Sequence, residues 1–309
     1  MIITVTLNPA LDKTIEIDDF KIGNVNRIVS TRVDVGGKGI NVSKVIKELH
    51  HESLALGFLG GNSGDLIKEY LNVSNIKNDF LSVKGETRTN IKIIDKVNST
   101  HTDVNENGPN LEHKYSIDIK EKIMKYCDEK SLVILSGSVP GGVSSSIYGE
   151  IIKDVKSRGG KVILDADGEM LLHGIKAGPY IVKPNIDELE KAFDIEIKSE
   201  EQVIKTAKKI LEYGVKYVVI SLGSEGSMFI SHDKVVKVKG IKVEVKSTVG
   251  AGDSMVAALS IAVENDYSFE EAIKLVCATS TANVMTEGTQ TGRIEDIEKL
   301  KKQITIKYI

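Results

Sequence analysis

The chain has 309 residues, carries 41 Lys+Arg against 44 Asp+Glu for a formal charge of −3, and is 41% apolar. That length supplies ample core for one large α/β domain or two smaller ones, and the balanced charge gives no strong electrostatic case for nucleic acid or an anionic membrane as partner. Two solitary cysteines, Cys127 and Cys277, make neither a metal spacing nor a disulfide framework, which fits a reducing cytoplasm, and no apolar run is long enough to cross a bilayer.

In chain order, MIITVTLNPALDK reads as a strand over Ile2 to Leu7 that enters an Asn-Pro turn, without the basic start and apolar core of a leader. Residues Thr14 to Val35 alternate with period two and lack helical spacing. A glycine pair, Gly36-Gly37, opens a helix over Lys38 to Leu49. A strand over Ser53 to Phe58 closes at Gly60-Gly61, and Leu66 to Leu71 is helical. Thr87 to Val104 returns to period two. From Lys114 the alternation is regular: a helix to Cys127, a strand over Leu132 to Leu135, a helix over Ser145 to Lys156, a strand over Lys161 to Leu164. A strand over Tyr180 to Val182, helices over Ile186 to Phe193 and Glu201 to Tyr213, and a strand over Tyr217 to Ser221 follow. The C-terminal part is largely helical, over Asp253 to Met285 and Glu295 to Lys302.

Buried apolar strands separated by amphipathic helices predict an α/β fold with a mostly parallel central sheet and helices on both faces. Ligands in such folds bind at the carboxyl ends of the strands. The absence of a linker or internal repeat favours one domain, residues 1–309, with a small β appendage formed by segments about 14–35 and 87–104.

Four segments carry candidate chemistry. In STVGAGDSMVAAL, Gly250, Ala251 and Gly252 run into Asp253 at the start of a helix, where free N–H groups and the helix dipole can hold an anion beside a carboxylate. A glycine turn with an Asp cap gives the same pattern. In VGGKGINVSKVIKEL, Gly37 frees the backbone while Lys38 and Asn41 offer a cation and an amide to a sugar hydroxyl or a phosphate; the spacing is not that of a Walker A loop. In KPNIDELE, Asn185 and Glu188 share a helix face after a strand. They suit either a hydrated magnesium ion or a helix cap. In SLGSEGSMF, a strand ends at Ser221 in a turn with Gly223, Glu225 and Gly226, which suits a nucleotide phosphate or a plain hairpin.

In order and combination these segments resemble the PfkB family of carbohydrate kinases, with its ribokinase-like fold, over essentially the whole chain. GGKGINVS is similar to the family's N-terminal signature, KPNIDE to its N-x-x-E motif and TVGAGDSMVAA to its C-terminal signature. The resemblance implies Asp253 as catalytic base and Gly250, Ala251 and Gly252 as the anion hole. It implies Asn185 and Glu188 at Mg²⁺, Lys183, Ser221, Gly223, Glu225 and Gly226 along ATP, and Asn283 near the adenine. Asp12 matches a position that binds sugar hydroxyls. The two β segments match the family's lid, which often serves as a homodimer interface. Ser247 departs from the acid that many members carry at the start of the C-terminal signature.

A phosphorylated acceptor needs cations away from the attacking hydroxyl. Arg27, Lys38, Arg88 and Lys92 supply them, with Asn90 and Ser138 as polar partners. The segments TVTLNPALD, ETRTNIKI, TDVNENGP and SGSVP resemble the branch holding 1-phosphofructokinase and tagatose-6-phosphate kinase. That resemblance implies ATP-dependent phosphorylation of D-fructose 1-phosphate. Phosphorylation of D-tagatose 6-phosphate is the rival, and a catalytically silent sugar-phosphate or nucleotide sensor is the reading from another class.

Overall fold

A computed structural model describes all 309 residues. The first third holds β1 (Ile2–Thr6), β2 (Ala10–Ile17), β3 (Ile28–Gly36), α1 (Lys38–Glu48), β4 (Ser53–Leu59), α2 (Gly61–Val73), β5 (Lys77–Asn78), β6 (Leu81–Ser82), β7 (Arg88–Asp95) and β8 (Thr100–Asn105). Then come α3 (Lys114–Tyr126), β9 (Leu132–Ser136), α4 (Ile147–Ser157), β10 (Lys161–Asp165), α5 (Gly168–Lys176), β11 (Ile181–Val182), α6 (Ile186–Phe193), α7 (Glu200–Leu211) and β12 (Tyr217–Ser221). The last part adds β13 (Gly226–Ile230), β14 (Val235–Lys239), α8 (Ala251–Glu264), α9 (Phe269–Val284), α10 (Ile294–Lys301) and β15 (Ile306–Tyr308).

The main sheet runs β15-β14-β13-β12-β11-β10-β9-β1-β4-β5, with β6 also on β4. Pairing is parallel from β5 through β12, then antiparallel through β13, β14 and β15. Because successive strand residues face opposite sides, each buried strand feeds two cores. Ile3, Val5, Val133, Leu135, Val162 and Leu164 pack with α3, α4 and α5. Ile2, Leu132, Ile134 and Ile163 pack with α1, α8 and α9 on the other face.

Helix α8 is buried continuously from Asp253 to Ala262. A helix enclosed on all sides has no polar stripe, which explains why its sequence reads as small and apolar throughout. Its N-terminus is thereby fixed by packing rather than by a side-chain cap, which it lacks.

A second sheet of four strands, β3-β2-β7-β8, stands apart. The two period-two segments fall on it, although β2 begins at Ala10 and residues 18–27 form a loop. Its register places Val33, Lys13, Ile91 and Val104 in one row, and Asp34, Asp12, Asn90 and Asn105 in the next. Adjacent rows face opposite sides, so one face is polar and the other largely apolar. Val29, Val33 and Val104 on the apolar side are 60%, 55% and 53% exposed.

Helix α2 starts at Gly61 rather than Leu66, and α5 together with strands β5, β6, β14 and β15 lies in stretches with no predicted element. No helix is long and apolar enough to cross a membrane.

Candidate active site

The parallel strands end on one edge at Thr6, Ser136, Asp165, Val182 and Ser221. Above that edge the chain crosses from Val249 into α8. Gly250 takes φ +81°, the left-handed region that suits glycine, and so turns the first α8 N–H groups to one side. An added Cβ at Gly252 would lie 3.3 Å from Lys183 Nζ, so this ammonium sits directly against the turn. Ser247 accepts the Val249 N–H at 3.2 Å, so here a hydroxyl stabilises the turn.

Asp253 is 6% exposed and accepts the Asn41 side-chain N–H at 2.9 Å. Burial, reinforced by the Asp165 carboxylate, pushes its pKa up to about 6, against Lys38, Asn41 and Lys183. A carboxylate so poised is ionised near neutrality yet basic enough to take a proton.

Lysines 38 and 183 converge on Asp165. Lys183 Nζ lies 3.1 Å from Asp165 Oδ1, Lys38 Nζ lies 3.7 Å from the same oxygen, and Lys38 Nζ is 4.0 Å from Glu188 Oε1. Burial pushes the Asp165 carboxyl up, but the two ammonium groups outweigh it and hold it below the usual range. The same pairing raises Lys38, whose largest influence is Asp165. Glu188 is pushed up, by burial first and then by Asp165. Asp165 Oδ1 is held by the two ammonium groups, while Oδ2 is buried without a hydrogen-bond partner.

Asn185 and Glu188 form a capping box on α6: Asn185 Oδ1 accepts the Glu188 N–H at 2.7 Å and Glu188 Oε2 accepts the Asn185 N–H at 2.9 Å. These bonds are those of the helix-cap alternative, and Glu188 Oε1 is turned to Lys38. A backbone bridge joins Asn185 to Ser221. Beyond Ser221, Gly223 and Gly226 have φ +58° and +106°, and a Cβ at Gly226 would fall 2.0 Å from the Val238 carbonyl. Glu225 is exposed beside them. On the other flank Asn283 lies against Gly250, where an added Cβ would meet its Oδ1 at 3.5 Å. Its Nδ2 donates to Gln290 O at 2.9 Å.

A third group forms the opposite mouth. Gly37 has φ +112°, and a Cβ there would meet Thr6 Cγ2 at 2.8 Å. The Asp12 carboxylate packs onto Gly36 and accepts from Asn90 Nδ2 at 2.9 Å. Burial pushes Asp12 up, and Asp34, opposite it in the sheet, adds to that. Arg88 Nε donates to Asn8 O at 3.2 Å, and Asn8 Nδ2 donates to Ser138 Oγ at 3.2 Å. Gly137 lies over the Lys38 stem, which joins this group to the lysine cluster.

The structure thus gathers all the predicted site residues except two. Arg27 is exposed in the 18–27 loop, at the far end of the β2–β3 pair from Asp12. Lys92 lies further along β7 and faces Asp103 at 3.8 Å. Asp165, Asn8 and Lys44 were missed by sequence reasoning. For Asp165 a signal existed: it is the acid at the carboxyl end of the buried strand KVILD.

A helix start with its N–H groups turned to one side, a buried carboxylate and paired lysines suit group transfer to or from an anionic substrate. The whole-chain comparisons agree. Residues 5–296 match the description "pfkB family carbohydrate kinase", and the chain belongs to that family. It is 37% identical to the 1-phosphofructokinase of Borreliella burgdorferi over 100% of this chain and 99% of that one. It is 34% identical to a tagatose-6-phosphate kinase of Staphylococcus epidermidis over 99% of each. The structure of phosphofructokinase-2 from Escherichia coli in complex with potassium superposes with a TM-score of 0.93 at 28% identity, covering 98% of each chain.

Proposed function

We propose that this chain transfers the γ-phosphoryl group of ATP to the 6-hydroxyl of D-fructose 1-phosphate, giving ADP and D-fructose 1,6-bisphosphate. The observation that carries this reading is the mouth where Arg88 and Ser138 both bond Asn8, joined past Gly137 and the Lys38 stem to the lysine cluster beside Asp253. A neutral sugar needs no such cations; a phosphate entering a half-enclosed mouth does. Arg27 is not part of this set.

Asp253 takes the proton of the attacking hydroxyl. The freed oxygen bonds to the γ-phosphorus as the bond to the β–γ bridging oxygen breaks, and the electron pair leaves with ADP. The N–H groups of Gly250–Gly252 and the Lys183 ammonium face the spreading charge. Asn41 steadies the base, and Asp12 with Asn90 receives sugar hydroxyls. Ser221, Gly223, Glu225 and Gly226 line the nucleotide side, with Asn283 beyond Gly250. Asp165 Oδ2, buried without a partner, and Glu188 are the groups that would hold a hydrated Mg²⁺, which would neutralise nucleotide phosphate charge when bound. Asn185 acts by fixing Glu188.

The S. epidermidis relative supports D-tagatose 6-phosphate as the rival acceptor. The chain's retained base and paired lysines argue against a silent sensor, which needs neither. The apolar outer row of the small sheet, with Val33 and Val104 exposed, supports a homodimer through that face. A coupled assay of ADP release with D-fructose 1-phosphate tests the reading. Acceptor-dependent turnover supports it, and ADP release unaffected by any phosphosugar removes it.

A further inference from the structure

Lys44 lies three residues after Asn41 on α1, so the two share a face. Its ammonium donates to the Val35 carbonyl on β3 and, at 3.4 Å, to Asn41 Oδ1. Asn41 in turn donates to Asp253 at 2.9 Å. A hydrogen-bonded path therefore runs from the small sheet through α1 to the buried carboxylate on α8. The ring of Tyr70 covers the ammonium at 5.3 Å.

The amide is the informative link. An ammonium only donates, and an ionised carboxylate only accepts. With Lys44 on one side and Asp253 on the other, just one orientation of Asn41 satisfies both. Once Asp253 has taken a proton it can donate, and an unrestrained amide could then turn its oxygen toward the acid and stabilise the protonated form. Lys44 blocks that rotation, because the turned amide would present N–H to an ammonium. We propose that Lys44 is a positioning residue that holds Asn41 as a donor to Asp253 throughout the cycle and ties this pair to β3. The proposal rests on Asp253 being the base.

Other groups also act on Asp253: Asp165 from β10, Lys38 from α1 and Lys183 after β11. Lys44 itself feels Asp34, Asp12 and Asp253. A double-mutant cycle separates relay from direct influence. Lys44→Met is expected to lower kcat about tenfold, with KM for ATP unchanged, and Lys44→Arg to restore most of it. In an Asn41→Ala background, Lys44→Met should slow turnover no further. Additive losses would overturn the proposal.

A second readout needs no turnover. Carboxyl-carbon NMR titration of Asp253 in the unliganded protein should show Lys44→Met raising its pKa, and doing so by less than half as much in the Asn41→Ala background. An equal rise in both backgrounds would also overturn it. If the wild type phosphorylates no sugar, the titration still decides the relay while the kinase reading fails separately. Should Lys44→Met not fold, Lys44→Gln takes its place in both cycles.

Discussion

Asn41 and Asp253 are 212 residues apart in sequence and share a 2.9 Å hydrogen bond. This contact joins the two glycine-rich segments, one at the start of α1 and one at the start of α8, into one site. Each segment alone is a glycine turn entering a helix. Together they place a buried carboxylate between the Asn41 amide and the Gly250–Gly252 turn.

Removing the charge of Asp253 should separate activity from stability. Asp253→Asn is expected to lower kcat by several orders of magnitude while ATP binding, read by calorimetry, stays within a few-fold. The same variant should melt a few degrees higher. A carboxyl raised from 3.8 to about 6 by burial destabilises the fold at neutral pH by roughly 3 kcal/mol, which the neutral amide relieves. Full turnover, or a lower Tm, would contradict the assignment.

The pH dependence has a defined sign. Because the folded-state pKa of Asp253 is raised, the base is protonated as pH falls through about 6, and kcat/KM should decline there. Stability should move the other way: the burial penalty is present above pH 6 and fades as pH falls toward 3.8. A kcat/KM profile flat from pH 7 to 5 would rule out Asp253 as the titrating base.

Arg88 bonds backbone carbonyls of Asn8 and Glu106 at 3.2 Å each, which aims it without neutralising it. Arg88→Ala should raise KM for the phosphosugar at least tenfold and KM for ATP by less than threefold. Equal effects on the two substrates would take Arg88 out of the acceptor site.

The Gly250 turn is limited by backbone conformation rather than space, since the nearest atom to an added Cβ is 3.5 Å away. Gly250→Ala should cost roughly 1–2 kcal/mol and lower kcat more than tenfold, because the N–H groups would turn away from the transferring group. A lower Tm with unchanged kcat would show that the turn is structural only.

Much of the site was legible because its parts are contiguous in sequence. The Gly250–Asp253 turn, the Asn185–Glu188 pair and the Gly36–Asn41 segment each announce themselves within a few residues. Asp165 did not, because its meaning comes from Lys38 and Lys183, which arrive from distant segments. Lys44 reads as one more solvated lysine of an amphipathic helix until β3 and Asn41 are folded against it. Helix α5 was missed because it is nine residues long and opens on glycine. Arg27 has the residue type and segment the reading asked for, but strand direction places it at the far end of the β2–β3 pair from Asp12 within this chain.

The central claim is that a phosphorylated ketohexose is the acceptor, and kcat/KM for D-fructose 1-phosphate, D-tagatose 6-phosphate, D-fructose 6-phosphate and unphosphorylated D-fructose tests it most directly. The account predicts the highest value for D-fructose 1-phosphate, with unphosphorylated fructose at least a hundredfold lower because Arg88 and Lys38 go unused. A value for free fructose equal to that of the phosphosugars would contradict it.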